Sequence, residues 1–323
     1  MTARQHHYVP QCYLKGFVRH RDNPKLHVLD GRTRKAFSTH PKNVAQERDF
    51  HAIQVEGLPA DAVEASLAEF EGQLAPALQR VIESRSLKDE DDRAYLLNLI
   101  ALLAVKNPSH RDVMRDFVAR ISKQMMAMAL STPEIWEAQV EGAKAAGYMP
   151  QDAPTDYEAM SAFVAEGQYD IELATGAHVG MELDVFNDIL PLVARRKWTL
   201  LRAPPRLTGF LTSDHPVSLH CSNPEAHGPF SPGLGMPDTR LLFPVSNSLA
   251  MIGSFEGEDG EHDAPAEVIA AFNTAVIARS RRQVYARDGE FLYRELRHSK
   301  LTRGAELLND PSFGRNRRNE PGE

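Results

Sequence analysis

Leu26-His27-Val28-Leu29-Asp30, Gly31-Arg32-Thr33-Arg34 and Lys35-Ala36-Phe37-Ser38-Thr39 read together as a β-hairpin, two strand-forming runs joined by a polar, Gly-containing turn. This stretch decides the fold class, because strand patterns return only near the other end of the chain. Residues 197–201, 209–213, 241–243 and 249–252 are short apolar runs bounded by turn residues, and Val284-Tyr285 adds a further one. Strands at both ends around a helical middle imply an α+β fold. The expected architecture is a helical central region packed against a mostly antiparallel sheet of C-terminal strands, with the N-terminal hairpin joining or flanking that sheet.

The middle carries helical periodicity. Val63, Leu67, Phe70, Leu74, Leu78 and Val81 recur at steps of three and four and make one amphipathic face, which Pro76 is expected to kink or divide. Asp89, Glu90, Asp91 and Asp92 suit the positive end of a helix dipole, and residues 95–105 behind them are apolar on nearly every side. That helix is expected to be the buried centre. A third helix is expected over about 111–130, with Met125, Met126 and Met128 read as core packing. Short helices and polar connections follow over 131–175, then helices over 182–195 and from Pro265 to Ser280. The expected division is one α+β domain over 1–308. It comprises an N-terminal segment and hairpin (1–60), a helical region (61–195) and a sheet region (196–308), followed by a flexible polar tail over 309–323.

Composition narrows the class. In 323 residues, 42% are hydrophobic and 25% charged, enough for a sizeable core. The formal net charge of -7 gives no support to a generally basic nucleic-acid surface. The 2 cysteines, Cys12 and Cys221, allow at most one disulfide and exclude a zinc site built mainly from Cys. No apolar run reaches the length of a membrane span, and residues 1–6 lack the apolar core of a signal peptide. The expected compartment is the cytoplasm, with no membrane partner. Phosphate-binding glycine loops, dinucleotide fingerprints, nucleophile elbows and His-Glu-x-x-His are all missing from the sequence.

The polar residues that a merely stable fold would not need begin with Gln5-His6-His7-Tyr8-Val9-Pro10-Gln11. Adjacent residues of an extended segment point to opposite sides, so His6 and His7 are not expected to enter one site together. One can ligate a metal or carry a proton while the other orients the chain, and Tyr8, Tyr13 and Phe17 hold the segment inside the fold. Thr212-Ser213-Asp214-His215-Pro216 places hydroxyls, a carboxylate and an imidazole at the end of an apolar strand. Pro216 restricts His215 to extended backbone. The chemistry open to this segment is a metal or acid–base site, and the plainer alternative is a turn in which Asp214 caps backbone amides. Glu71 sits at the border of an apolar helix face, whereas Glu64 and Glu69 read as solvated surface. Arg111 can clamp a phosphate or neutralise a nearby acid. Asn273 interrupts an apolar helix face and is expected to bind buried backbone.

Three segments taken together carry a resemblance: His6-His7-Tyr8-Val9-Pro10 with Tyr13-Leu14-Lys15-Gly16-Phe17; Phe210-Leu211-Thr212-Ser213-Asp214-His215-Pro216-Val217; and Phe243-Pro244-Val245-Ser246. In order and spacing they resemble the bacterial family catalogued as domain of unknown function 4238, from about Gln5 to Tyr285. The resemblance implies that His6, His7, Asp214 and Glu71 belong to one recurrent pattern and meet in space. Asn273 also falls where the family carries such a residue, and Lys106 stands where relatives often have Arg. No activity comes with the family.

The leading expectation is a metal-assisted hydrolase acting on phosphodiesters, nuclease-like, with a toxin or phage-defence role. His6, His7, Asp214 and Glu71 are the expected catalytic residues. His7, Asp214 and Glu71 are the expected ligands of one divalent metal ion, and Tyr8, Arg111, Ser213 and His215 the expected substrate contacts. The partner would be nucleic acid or a nucleotide-like substrate. The rival is a non-catalytic binding module whose His, Asp and Glu residues form a structural hydrogen-bond network. A third reading is a small-molecule or peptide binder with a pocket between sheet and helices.

Overall fold

A computed structural model describes residues 5–53, 57, 59–205, 209–221, 232–295 and 297–314. In chain order the N-terminal part forms β1 (Gln5–His7), the one-turn α1 (Gln11–Leu14), β2 (Leu26–Asp30), β3 (Lys35–Thr39) and β4 (Gln46–Arg48). The helices are α2 (Ala62–Ser84), α3 (Glu90–Val105), α4 (Pro108–Ala129), α5 (Pro133–Ala145), α6 (Tyr157–Glu166) and α7 (Thr175–Ala194). Then come β5 (Lys197–Arg202), β6 (Thr212–Ser213), β7 (Ser218–Cys221), β8 (Thr239–Ser246), β9 (Leu249–Ser254) and β10 (Gly260–Asp263). The chain continues with α8 (Ala266–Arg279), β11 (Gln283–Ala286), β12 (Leu292–Arg294) and β13 (Leu301–Arg303).

The fold is α+β, and the hairpin joins the late strands as the pattern predicts. A four-stranded sheet runs β3-β2-β11-β6, antiparallel throughout, with Leu29 opposite Val284 and Tyr285 opposite Thr212. A five-stranded sheet runs β10-β5-β9-β8-β7, antiparallel except for the parallel β10–β5 edge. Pro244 would remove a ladder donor from β8, and it sits where the β8–β9 register shifts.

Helix α3 is the buried helix expected from 95–105: Leu96, Leu99, Ile100, Ala101 and Leu103 are all buried. Asp89 caps it by accepting the amide of Asp92 at 2.9 Å. Helix α2 runs through Pro76 without being divided, laying Leu74, Leu78 and Val81 on the same core as Trp198, Leu241 and Phe243. At roughly 1.5–3 kcal/mol for each large apolar side chain removed from water, this cluster is the main stabilising mass of the fold. Asn273 acts as its position on α8 suggests. It accepts from the amide of Leu211 at 3.1 Å and donates to the carbonyls of Gly209 and Leu292 at 3.1 and 2.9 Å.

The structure adds detail to the division of the chain and departs from the sequence reading at α4 and near the C-terminal end. The chain divides into two compact units, residues 1–107 with 179–323, and residues 108–178. The second unit has its own small core of Leu130, Trp136 and Val140. Met125 and Met128 are exposed at 65% and 72%, and with Val113, Phe117 and Ile121 they line an outer stripe of α4 rather than a core. The expected tail over 309–323 begins too early. Phe313 is fully buried, and a Cβ on Gly31 would meet Gly314 Cα at 2.6 Å, so both glycines are required for that approach. Residues 315–323 lie outside the described residues.

Candidate metal centre

Strand β1 exists because β4 pairs with it, His6 opposite Glu47 and His7 opposite Gln46. Ala45 and Asp49, on either side of β4, have φ of 51° and 54°, a left-handed conformation that costs a non-glycine residue about 1–2 kcal/mol. The chain therefore turns sharply after β4 and brings Phe50 and His51 back over β1. Phe50 packs against Tyr8 and His51, with ring centroids 5.8 and 5.1 Å apart. The rings of His6 and His51 stack at 5.4 Å with planes 14° apart.

This fold-back creates a cluster with the first turn of α2. His6, His51 and Glu64 each offer one ligand atom, and these atoms lie within 4.8 Å of one another. His6 and His51 are buried, and Glu64 is partly so. The cluster is hydrogen-bonded: the amide of His51 donates to His6 Nδ1 at 2.9 Å, and His51 Nδ1 pairs with Glu64 Oε2 at 2.6 Å. The bond from His51 holds the Glu64 carboxyl below its ordinary pKa.

Other ionisable groups stand close enough to be felt. Glu71 is seven residues beyond Glu64 on α2, hence on the same face. Burial pushes its carboxyl above the ordinary range, Lys106 pulls it down, and Glu64 pushes it up. The buried Lys106 donates from Nζ to the carbonyl of His7 at 3.3 Å. Burial lowers the pKa of His7, against the backbone of Lys42 and the charge of Glu64. His7 Nδ1 faces Gln11 Nε2 at 3.5 Å, while its Nε2 is buried with no hydrogen bond among the described residues. The two adjacent histidines therefore part company, as their extended backbone requires.

The trio anticipated as ligands, His7, Asp214 and Glu71, does not form such a group among the described residues. Asp214 is occupied elsewhere. Its Oδ1 accepts the amide of Arg281 at 2.8 Å, and its Oδ2 accepts those of Arg282 and Gln283 at 2.8 and 2.9 Å. This is amide capping by a carboxylate, the plainer of the two alternatives. Burial drives the Asp214 carboxyl up to about 6, against these three amides. Ser213 Oγ accepts the amide of His215 at 3.0 Å and shapes the same turn. Tyr8 is buried, its hydroxyl pKa raised by burial and by the Asp214 charge. Arg111 is buried near the start of α4, in the second unit.

The three sequence segments do meet, but through packing. Tyr13 Oη lies 2.7 Å from Thr212 Oγ1 and donates to the Pro244 carbonyl at 2.7 Å. Asn247, in the β8–β9 turn, donates its amide to the Gly16 carbonyl at 2.9 Å and accepts the Phe210 amide at 2.8 Å. A Cβ on Gly209 would sit 1.7 Å from the Asn247 carbonyl oxygen, so only glycine fits there.

His51 and Glu64 were missed from sequence. Glu64 was assigned to solvent, although its seven-residue spacing from Glu71 places both carboxylates on one helix face. His51 stands in a loop, where no periodicity marks it. Cys12 and Cys221 are not joined in a disulfide.

What fold and site define is an α+β protein with a buried His–His–Glu cluster between its N-terminal strand pair and its first long helix. The chain belongs to the family described as Protein of unknown function (DUF4238), whose model matches residues 5–290. No curated protein and no solved structure matches it.

Proposed function

We propose that the protein is a metal-assisted hydrolase of phosphodiesters, centred on His6, His51 and Glu64. The observation that carries this reading is the convergence of two imidazoles and a carboxylate within 4.8 Å. Two His and one carboxylate are a donor set suited to Zn²⁺, Mn²⁺ or Fe²⁺, leaving positions open for water and a substrate oxygen. A divalent ion in such a set lowers the pKa of bound water and polarises a phosphoryl oxygen. Around it, Glu71 supplies a carboxyl with a raised pKa, suited to receiving a proton, and Lys106 supplies positive charge beside both glutamates. Ion uptake would replace the proton shared by His51 Nδ1 and Glu64 Oε2, so binding releases a proton and weakens as pH falls. Phosphodiester as the substrate class rests on Lys106; a nucleic-acid substrate and a toxin or phage-defence role are the narrower forms of the same reading.

The rival, a non-catalytic module with a structural network, is favoured by one specific bond: the His51 amide already occupies His6 Nδ1. Hydrolysis of bis(p-nitrophenyl) phosphate separates the two. The expected result is activity that chelation abolishes and Mn²⁺ or Zn²⁺ restores, falling about 100-fold or more in Glu64→Gln, beyond what loss of an outer partner causes. Inactive wild-type protein under every divalent ion, with His51→Ala merely lowering the Tm, leaves the structural network as the function of the cluster.

A further inference from the structure

The N-terminal segment has a second face that the histidine cluster does not use. Beside Lys15, the C-terminal half of α2 and the β8–β9 turn, the chain forms a half-open cavity of about 580 Å³, within the usual range for small-molecule sites. Its floor is apolar, from Val18, Leu78 and Ile82. Its rim carries Lys15, Arg19, Arg21 and Arg287, with the hydroxyls of Ser246 and Ser248 on one wall, and among the described residues no carboxylate lines it. The chain as a whole has 44 acidic residues against 37 Lys and Arg, so a cationic lining of this kind runs against its composition. Among the described residues neither Lys15 nor Arg19 makes an ion pair. Arg21 pairs with Glu83 at 3.6 Å, an exposed contact that is weakly held, and Arg287 pairs with its neighbour Asp288 at 3.1 Å in a partly buried one.

The basic lining continues past this cavity. An abutting one of about 370 Å³ shares Arg19 and Arg287 and adds His20, Lys25 and His27, with Asp288 as its single carboxylate. The framework beneath is fixed. Leu14 and Phe17, on either side of Lys15 and Gly16, are fully buried, and the Asn247 amide ties Gly16 to the turn that carries Ser246 and Ser248. Among the described residues no Phe, Tyr or Trp lines either cavity, and so none of them offers a platform for stacking successive bases. Guanidinium groups match phosphoryl oxygens in pairs, an ammonium adds charge, and hydroxyls fill the remaining acceptors. The two cavities, joined through Arg19 and Arg287, suit a ligand with more than one such group.

We propose that this cavity binds a small anionic ligand bearing two or more phosphoryl groups, a diphosphate in the simplest case. Leu78 lies fourteen residues beyond Glu64 on α2, about 20 Å along the helix axis at about 1.5 Å per residue. The site is therefore distinct from the histidine cluster, and its ligand does not depend on a metal there.

Isothermal titration of the full-length protein with pyrophosphate, ADP and ATP, and with a short single-stranded oligonucleotide for comparison, at low salt tests this directly. Saturable binding is expected, weakening with added NaCl and falling at least about tenfold in Lys15→Ala/Arg19→Ala, the loss expected for charge-assisted hydrogen bonds. Both residues are exposed, so the variant should keep the wild-type Tm. Lys35→Glu, on the exposed strand β3, and Glu64→Gln should bind like wild type, and the second keeps this proposal separable from the metal reading. Absence of saturable binding of all three small probes overturns it, as does binding that survives Lys15→Ala/Arg19→Ala. Binding confined to oligonucleotides also overturns it, in favour of a polynucleotide surface.

Discussion

A carboxylate that accepts three backbone amides has most of its lone-pair capacity taken, and Asp214 illustrates how this decides between chemistry and architecture. Replacing it by Asn keeps the shape but turns one acceptor into a donor facing an amide. Asp214→Asn should therefore cost about 1–3 kcal/mol in urea unfolding, the penalty of an unsatisfied buried donor. Asp214→Ala should cost more, and the proposed phosphodiesterase activity, measured per folded molecule, should stay near wild type in the Asn variant. The segment from Thr212 to Pro216 was legible as a special place, because a polar run at the end of an apolar strand needs an explanation. Its role was not legible, since the amides it serves are about seventy residues away in sequence. His6 and His7 were separated correctly by the alternation of an extended backbone. Their neighbour His51 was invisible, because it arrives through a turn at two non-glycine residues with positive φ, Ala45 and Asp49, that no residue type announces.

Among the elements, the hairpin and its partner strand were the most readable, and Asp30 shows what joins them. Its Oδ1 accepts the amides of Arg32 and Thr33, shaping the hairpin turn, and its Oδ2 accepts from Arg282 Nε and Gln283 Nε2 at the start of β11. Burial opposes its ionisation, but these bonds, with those from Arg282 and Gln283 foremost, hold its carboxyl down to about 2. A folded-state pKa below the unfolded value means that the charged form stabilises the fold. The contribution is complete above about pH 4 and is lost as pH falls toward 2. Urea midpoints between pH 5 and 2 should thus fall less steeply in Asp30→Asn than in wild type; parallel curves would remove Asp30 from the acid response. Helix α4 shows the opposite case. Val113, Phe117, Ile121 and Met125 recur at steps of four, a spacing that normally marks a buried face, yet they are exposed. Periodicity reports which residues share a side of a helix and does not report what that side meets.

At the scale of the whole molecule, α2 gathers both candidate sites: Glu64 belongs to the histidine cluster and Glu71 feels its charge, while Leu78 and Ile82 belong to the basic cavity. The α+β class and the closing of the sheet by the N-terminal hairpin follow from where strand patterns occur along the chain. The second unit over 108–178 was not legible, since composition changes little at either boundary and α7 runs across one of them. The acidic net charge of -7 hid a local basic cavity, because a sum over the chain carries no position. The central claim is that His6, His51 and Glu64 hold a divalent ion, and metal titration of chelator-treated protein with Zn²⁺ and Mn²⁺ tests it most directly. The account predicts one equivalent bound by wild type and by Asp214→Asn, weakening as pH falls, and none by His51→Ala or Glu64→Gln. An apo protein that takes up neither ion, or one whose uptake is lost in Asp214→Asn and kept in Glu64→Gln, would contradict it.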